Sequence, residues 1–276
     1  MITLWKSREA IRSLVVRDLK VRYKSSVLGF FWSFCKPLLM MLVLLFVFSQ
    51  IIRFPLRHEN LPFALHLLAG VLAWTLFVGA LMDGMHSLLA NSNIIKKTNI
   101  PKEIFPFSSV IAHTINFLLG LVVLLGVLVV CGIGFRWSIV FLPVIIMCQI
   151  IFMLALALLL SALNTLYRDV ASIMEIVVTA WFYVTPIIYP AYMAYEKLQA
   201  IHKTLGELYF ILNPMAPIIV AFRRVLYAAV ITDPEPEMPD VQLIWYMIIA
   251  FIISLGLLCF SFWLFKKLAS RVVDEL

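Results

Sequence analysis

The stretch RSLVVRDLKVRYKSSVLGFFWSFCKP, residues 12–37, passes from a basic segment into a long apolar run without a polar linker. On a helix that advances about 100° per residue, Arg17, Lys20 and Lys24 fall in one wedge roughly 60° wide, and the apolar residues scatter over the opposite half. This pattern is typical of a helix that lies in the membrane interface. The alternative is that the basic residues only flank a first transmembrane helix. Asp18 and Arg22 are spaced to form an i, i+4 pair within the apolar half.

The composition indicates a polytopic membrane protein. Of the 276 residues, 63% are hydrophobic and only 13% are charged, whereas soluble domains are roughly 25% charged. The net charge is +7, but the sequence has no soluble segment long enough to present a basic surface to nucleic acid. No apolar stretch with a cleavage site opens the chain, so we expect no cleaved signal peptide. The four cysteines lie in or beside apolar runs and form no Cys-x-x-Cys pair, which indicates neither a disulfide framework nor a metal site.

The apolar runs predict an all-α integral membrane protein with six transmembrane helices, an N-terminal amphipathic interface helix, and external re-entrant or amphipathic helices before the last span. Runs near the bilayer-crossing length of about 20 residues occur at 29–52, 63–88, 107–131, 139–163, 172–190 and 241–265. An orientation with both termini in the cytoplasm places most lysines and arginines inside, as the positive-inside rule requires. The predicted single permease domain, 1–276, divides into an interface helix (1–28), spans one to five (29–190), external helices and turn (191–240), and span six with a cytoplasmic tail (241–276).

Residues 214–231 are apolar but are not predicted to cross the membrane. Arg223 and Arg224 lie near the middle of this segment, and two central arginines cost roughly 5–7 kcal/mol of insertion free energy. We therefore expect a re-entrant or interfacial hairpin on the external side, broken from an amphipathic helix before it at Asn213-Pro214. The acidic, proline-rich residues 233–240 predict the external turn into the last span.

The loop from Asn93 to Pro106 mixes charge with Ile94, Ile95 and Ile100, for which the sequence offers no evident core. We expect a short helix there that presents these isoleucines to a groove on a soluble partner. The alternative is a loop that rests on lipid head groups.

Aromatic residues surround Pro186, which frees a backbone carbonyl and kinks the helix of the fifth predicted span. Trp181 and Tyr183 precede this proline, and Trp74 and Phe77 lie in the second predicted span. These four rings could stack on sugar rings, although an aromatic belt at the outer interface is the alternative.

Ionisable groups near the spans are few. Interfacial solvation accounts for Asp83, His86 and Glu175, which fall near cytoplasmic helix ends, and His113 stands alone as a structural histidine. The sequence contains no Gly-x-x-x-x-Gly-Lys-Ser/Thr motif, so the chain cannot hold ATP phosphates by the P-loop mechanism.

Four motifs resemble the membrane subunits of ABC exporters for O-antigen, teichoic acid and capsular polysaccharide, the ABC-2 type permeases. These motifs are Arg17-Asp18-Leu19-Lys20-Val21-Arg22-Tyr23 with Leu28-Gly29, Trp32 and Pro37; Lys96-Lys97 followed by Ile100-Pro101 and Phe105-Pro106; Asn164 with Arg168-Asp169-Val170; and Thr185-Pro186-Ile187-Ile188-Tyr189. The resemblance implies a transport permease rather than an enzyme, located in the bacterial inner membrane. It implies a homodimer with two copies of a separate P-loop ATP-binding subunit, which binds ATP and Mg while this chain holds no cofactor. The implied cargo is an undecaprenyl-diphosphate-linked polysaccharide.

The resemblance also implies roles for particular residues. The lipid head group or gate would involve Arg17, Lys20, Arg22, Tyr23 and Lys24. Coupling to the ATPase subunit would involve Ile94, Ile95, Lys96, Lys97, Ile100, Pro101, Arg168 and Asp169. The sugar channel would use the aromatic residues Trp74, Phe77, Trp181 and Tyr183.

Three alternatives remain open from the sequence. The chain could be an ABC-2 exporter of a drug or a free lipid. It could be a membrane transferase acting on polyprenyl phosphates, although the lack of clustered acidic or histidine residues argues against this. An ion-coupled transporter would need charge near the middle of the membrane, which the sequence barely offers.

Overall fold

A computed structural model describes residues 7–23, 31–47, 60–98, 100–130, 132, 137–227 and 238–276. These residues form helices and turns without a strand, as the apolar periodicity predicts. The helices in chain order are α1 (Arg8–Tyr23), α2 (Trp32–Phe46), α3 (Asn60–Ala90), α4 (Ser92–Lys97), α5 (Ile104–Val130), α6 (Leu142–Leu166), α7 (Asp169–Val184), α8 (Ala191–Ile201), α9 (Leu205–Leu212), α10 (Met215–Tyr227) and α11 (Asp240–Glu275). A 3-10 helix, Trp137–Phe141, leads directly into α6.

Within the described ranges, four helical stretches are long and apolar enough to cross a bilayer. They are Leu65–Ala90, Ile104–Val130, Trp137–Leu166 and Asp240–Val272, and they match four of the predicted spans. The predicted first span corresponds to α2, which has 15 residues, and the rest of that span falls largely outside the described part. The predicted fifth span corresponds to α7, which has 16 residues. At 1.5 Å per residue such helices extend about 22–24 Å, less than the roughly 30 Å hydrocarbon core, so these two spans remain predictions.

Helix α3 lies at the centre of the bundle and packs against α2, α5, α6 and α10. Its inward residues Phe77, Leu81 and Met85 are fully buried. The fully buried Gln149 of α6 donates its side-chain amide to the Ala73 carbonyl of α3 over 2.7 Å. Because lipid tails are as apolar as the helices, close packing and hydrogen bonds of this kind hold membrane helices together.

The outer face of α11 is apolar. Its strongly exposed side chains include Val241, Ile244, Trp245, Ile248 and Ile252. Such a face suits contact with lipid, since hydrocarbon solvates it as well as a protein core does.

Helices α9 and α10 meet at an angle of 86°. The break falls between Leu212 and Met215, which confirms the predicted interruption at Asn213-Pro214. A bend of this size occurs in re-entrant loops and in broken spans, and a re-entrant loop is the form predicted for this segment. The predicted acidic turn that follows lies outside the described residues up to residue 237.

Candidate functional site

One end of the bundle carries a second hydrophobic core, separate from the main one. It joins Leu14 of α1, Leu88 of α3, Ile95 of α4, Phe105 of α5 and Phe265 of α11. We call it the α4 cluster, and the end of the bundle where it lies the α4 end. Leu158 of α6 belongs to the α4 cluster as well, so helices α1 and α4 are packed onto four long helices.

The α4 cluster corrects one expectation about the coupling loop. The sequence offered no evident core for the isoleucines of this loop, yet Ile95 is only 4% exposed, and Ile94 and Ile100 pack against the same cluster. The exposed residues of α4 and its C-terminal flank are instead polar: Asn93, Lys96, Lys97 and Thr98. A partner that contacts α4 would therefore meet the basic side chains of Lys96 and Lys97, while Ile95 anchors the helix in the cluster.

The second predicted coupling segment reaches the same end of the bundle. Arg168 and Asp169 are exposed at the start of α7. The preceding residues Leu166 and Tyr167 line a cavity of about 260 Å³ together with Arg271 and Glu275 of α11. Leu166 also packs against the α4 cluster, so the fold brings the two predicted coupling segments to one end of the bundle. Pro101 is half-buried.

Arg17 connects α1 to the junction between α3 and α4. Its guanidinium donates to the Asn91 side-chain oxygen over 2.6 Å and to Asp18 over 2.8 Å. Asn91 in turn donates to the Ser87 carbonyl over 2.7 Å. Arg17, predicted to meet the lipid head group, thus links α1 to the α3–α4 junction.

The other predicted head-group residues are less fully described. Lys20 is exposed on α1. The side chains of Arg22 and Tyr23 and the whole of Lys24 lie outside the described part, so the predicted pairing of Asp18 with Arg22 lies outside it as well. Asp18 accepts hydrogen bonds from Arg17.

Three of the four predicted channel aromatics form a cluster inside the chain. The Trp181 ring lies 5.2 Å from Phe77 and 6.3 Å from Trp74, centroid to centroid, both edge-on. Phe77 also stacks on Phe152 at 5.8 Å. Since Phe77 is fully buried and Trp74 is 6% exposed, a sugar could reach these two rings only if the cluster opened. Tyr183, in contrast, is 66% exposed.

An interhelical pair that the sequence did not predict joins α3 to α5. His113 lies 2.6 Å from a carboxylate oxygen of Asp83, so the expectation that His113 stands alone was wrong. The close approach depends on Gly79, because a Cβ there would lie 2.4 Å from the imidazole ring.

The exposed side of α3 is polar, whereas the outer face of α11 is apolar. Thr75, Asp83 and His86 are exposed, and their spacing places them on one face of the helix. The Asp83 side chain is 59% exposed, and a carboxylate facing hydrocarbon is costly. This face of α3 therefore suits a hydrated surface better than a lipid-facing one.

Comparison with known proteins adds independent findings. The family model described as "ABC-2 type transporter" matches residues 9–227, which include α1 except for its first residue and all of α2 to α10. The chain is 31% identical over 247 residues to "O-antigen export system permease protein RfbA" of Myxococcus xanthus, covering 88% of this chain and 91% of that protein. Two proteins of the same name from Klebsiella pneumoniae are 30% identical over 219 residues, covering 78% of this chain and 79% of that protein, and 33% identical over 211 residues, covering 75% and 76%.

Proposed function

The chain belongs to the ABC-2 type transporter family, and we propose that it is the transmembrane subunit of an exporter for an undecaprenyl-diphosphate-linked surface polysaccharide of the O-antigen type. The observation that supports the cargo most directly is the likeness, over most of the chain, to permeases named for O-antigen export. The exporter would act in the bacterial inner membrane with both termini of this chain in the cytoplasm.

Energy comes from a separate subunit in this proposal. The sequence has no P-loop motif, so ATP and Mg would be bound by a P-loop ATP-binding partner, with two copies of each subunit in the assembly. The exposed Lys96 and Lys97, with Arg168 and Asp169 nearby, favour a partner groove that carries acidic side chains.

Movement of the partner would reach the membrane through two connections. The α4 cluster joins α4 to α5 and α11, and the Arg17–Asn91 hydrogen bond joins the α3–α4 junction to α1. Because packed cores shift as units rather than deform continuously, displacement of α4 would move α1 and the ends of these long helices together.

The chain would contact both the diphosphate and the sugar part of the cargo. Arg17 and Lys20 of α1, together with Arg22 and Lys24, would attract the diphosphate near the membrane surface. Tyr183 and the polar face of α3 would line the sugar path between two protomers, with Trp181, Trp74 and Phe77 behind them.

Deletion of the gene in its native host tests this function. The proposal expects loss of surface polysaccharide and accumulation of the lipid-linked polymer inside, restored by the intact gene. Normal surface polymer with increased drug sensitivity would instead indicate drug export. Conversion of a polyprenyl-phosphate substrate by the purified chain without ATP would indicate a transferase.

A pair of variants tests the head-group role. Replacing Lys20 and Arg22 with Gln should reduce export without preventing membrane insertion. The matched control is Arg12→Gln, because Arg12 is also exposed on α1 but points about 140° away from Arg17. Equal export by both variants would refute the head-group role of Lys20 and Arg22.

A further inference from the structure

Two exposed tryptophans mark the outer face of α11. Trp245 is 61% exposed and Trp263 is 56% exposed. They are 18 positions apart, which is five full turns, so they lie on the same side of the helix about 27 Å apart along its axis. This separation is close to the roughly 30 Å thickness of the hydrocarbon core, and tryptophan prefers the two membrane interfaces. The spacing therefore places Trp263 at the level where acyl chains meet head groups.

Beyond Trp263 the surface of α11 becomes charged. Lys267, Arg271 and Glu275 follow at intervals of four residues, and all three are exposed. Residues four apart are neighbours on a helix surface. The Lys267 ammonium lies over the Trp263 ring, 5.2 Å from its centroid. With increasing distance from the apolar span, α11 thus presents an aromatic ring, two cations and then a carboxylate.

The last two of these charges line the cavity at the α4 end. Arg271 and Glu275 share this cavity of about 260 Å³ with Leu166 and the exposed Tyr167. Their spacing would allow an ion pair, yet among the described residues neither Arg271 nor Glu275 forms one. Both charges are therefore available to a ligand, and an aromatic ring lies in the same lining.

The order of groups on α11 matches the order of groups in phosphatidylethanolamine, a lipid with acyl chains, then a phosphate, then a primary ammonium. Guanidinium and ammonium groups form strong charge-assisted hydrogen bonds with phosphate, which suits Arg271 and Lys267. Glu275 suits the lipid ammonium, as does the face of the Tyr167 ring. A purely anionic lipid would satisfy the two cations but would leave Glu275 without an opposite charge.

The position of these charges favours a lipid over a protein segment as the ligand. Ile252 lies within about 20° of the line that joins the two tryptophans, and its strong exposure continues the apolar face of α11 towards Trp263. Side chains on a helix lean towards its N-terminus, which for Lys267 and Arg271 is the direction of the apolar span. The acyl chains of a bound lipid would therefore lie along a surface that already suits hydrocarbon.

We propose that Lys267, Arg271 and Glu275, with Tyr167, form a binding site for the head group of phosphatidylethanolamine. The proposal rests on the membrane location in the proposed function but not on its cargo. A bound head group bridges α11 and the turn between α6 and α7, where the Arg168–Asp169 segment begins. Since Leu166 packs against the α4 cluster and Val272 belongs to it, the bound lipid stabilises the α4 end.

Native mass spectrometry of the delipidated full chain tests the site, with dioleoyl phosphatidylethanolamine and dioleoyl phosphatidylglycerol as probes. Arg271→Gln should weaken binding of both lipids about fivefold, the size of one charged contact at a partly exposed site. Glu275→Gln should weaken only phosphatidylethanolamine, by a similar factor. The matched controls are Lys197→Gln and Glu196→Gln, which change exposed charges on α8 and should bind both lipids as the wild type does.

Arg271→Lys separates lost contact from lost folding, because it keeps the positive charge and should retain most of the affinity. Wild-type affinity in Arg271→Gln would overturn the site, and equal loss of both lipids in Glu275→Gln would overturn the ammonium contact. Glycerophosphoethanolamine, which lacks acyl chains, should bind far more weakly than the lipid; equal binding would overturn the use of the apolar face.

Addition of the ATPase subunit gives a further decision. The lipid should stay bound, whereas its release would show that the cavity receives the partner protein and would overturn the proposal. If the complete complex exports no polymer, the proposed function fails, while lipid binding, measured without ATP, still decides whether this site exists.

Discussion

Replacement of Ile95 by alanine tests whether the α4 cluster holds α4, the helix proposed to contact the ATPase subunit. Helix α4 has only six residues, and isolated helices of that length are not stable in water. Its position must therefore come from packing, and Ile95, at 4% exposure, is its buried residue. Truncation of a buried isoleucine to alanine costs about 2–5 kcal/mol, and to valine about 0.5–1.5 kcal/mol.

For Ile95→Ala, a cost of about 2–4 kcal/mol would lower the ratio of docked to undocked α4 roughly 30- to 1,000-fold. The expected result is a complex that still binds its ATPase subunit weakly through Lys96 and Lys97 but hydrolyses more ATP for each polymer exported. Ile95→Val should fall between this variant and the wild type.

The assay combines two measurements on the purified complex. Hydrogen exchange over residues 92–97 should become fast in Ile95→Ala, and the ratio of ATP hydrolysed to polymer exported should rise. Asn93→Ala is the control, since Asn93 is exposed on the same helix. Wild-type exchange and a wild-type ratio in Ile95→Ala would refute the reasoning that the cluster fixes α4.

Two further predictions concern the contacts between long helices. Gln149→Leu should lower the melting temperature in detergent by the equivalent of about 0.6–2 kcal/mol, because it removes the hydrogen bond to the Ala73 carbonyl; an unchanged melting temperature would contradict that role. Gly79→Ala should lower it as well, since the new methyl would displace the His113 ring, whereas Gly126→Ala, which faces open space, should not. Equal melting curves for the two alanine variants would show that the His113 contact does not constrain the helices.

Local features of the sequence predicted the elements well. Long apolar runs gave the four stretches that are long enough to cross a bilayer, because length and hydropathy are properties of a segment by itself. The break predicted at Asn213-Pro214 is confirmed, because α9 ends before it. At Pro186 the prediction was a kink within a span reaching residue 190, whereas α7 ends at Val184. Each proline removes a hydrogen-bond donor and disfavours helical geometry in the residue before it.

Contacts between distant residues were not predictable in the same way. Arg17 and Asn91 are 74 positions apart, and Arg223 bonds a carbonyl 157 positions away. The sequence shows that a charge is expensive in an apolar segment, but not which carbonyls will surround it. Ile95 was misread for the same reason, because its core is made by residues of other helices that no local pattern identifies.

The measurement that tests the central claim most directly is isolation of the assembly. The tagged chain is extracted gently from its native host, its co-purifying proteins are identified with their stoichiometry, and vanadate-sensitive ATP hydrolysis is assayed. The account predicts a P-loop ATPase present in equal copies with this chain, two of each, and active. A chain that purifies alone and without ATPase activity, even after crosslinking, would contradict it.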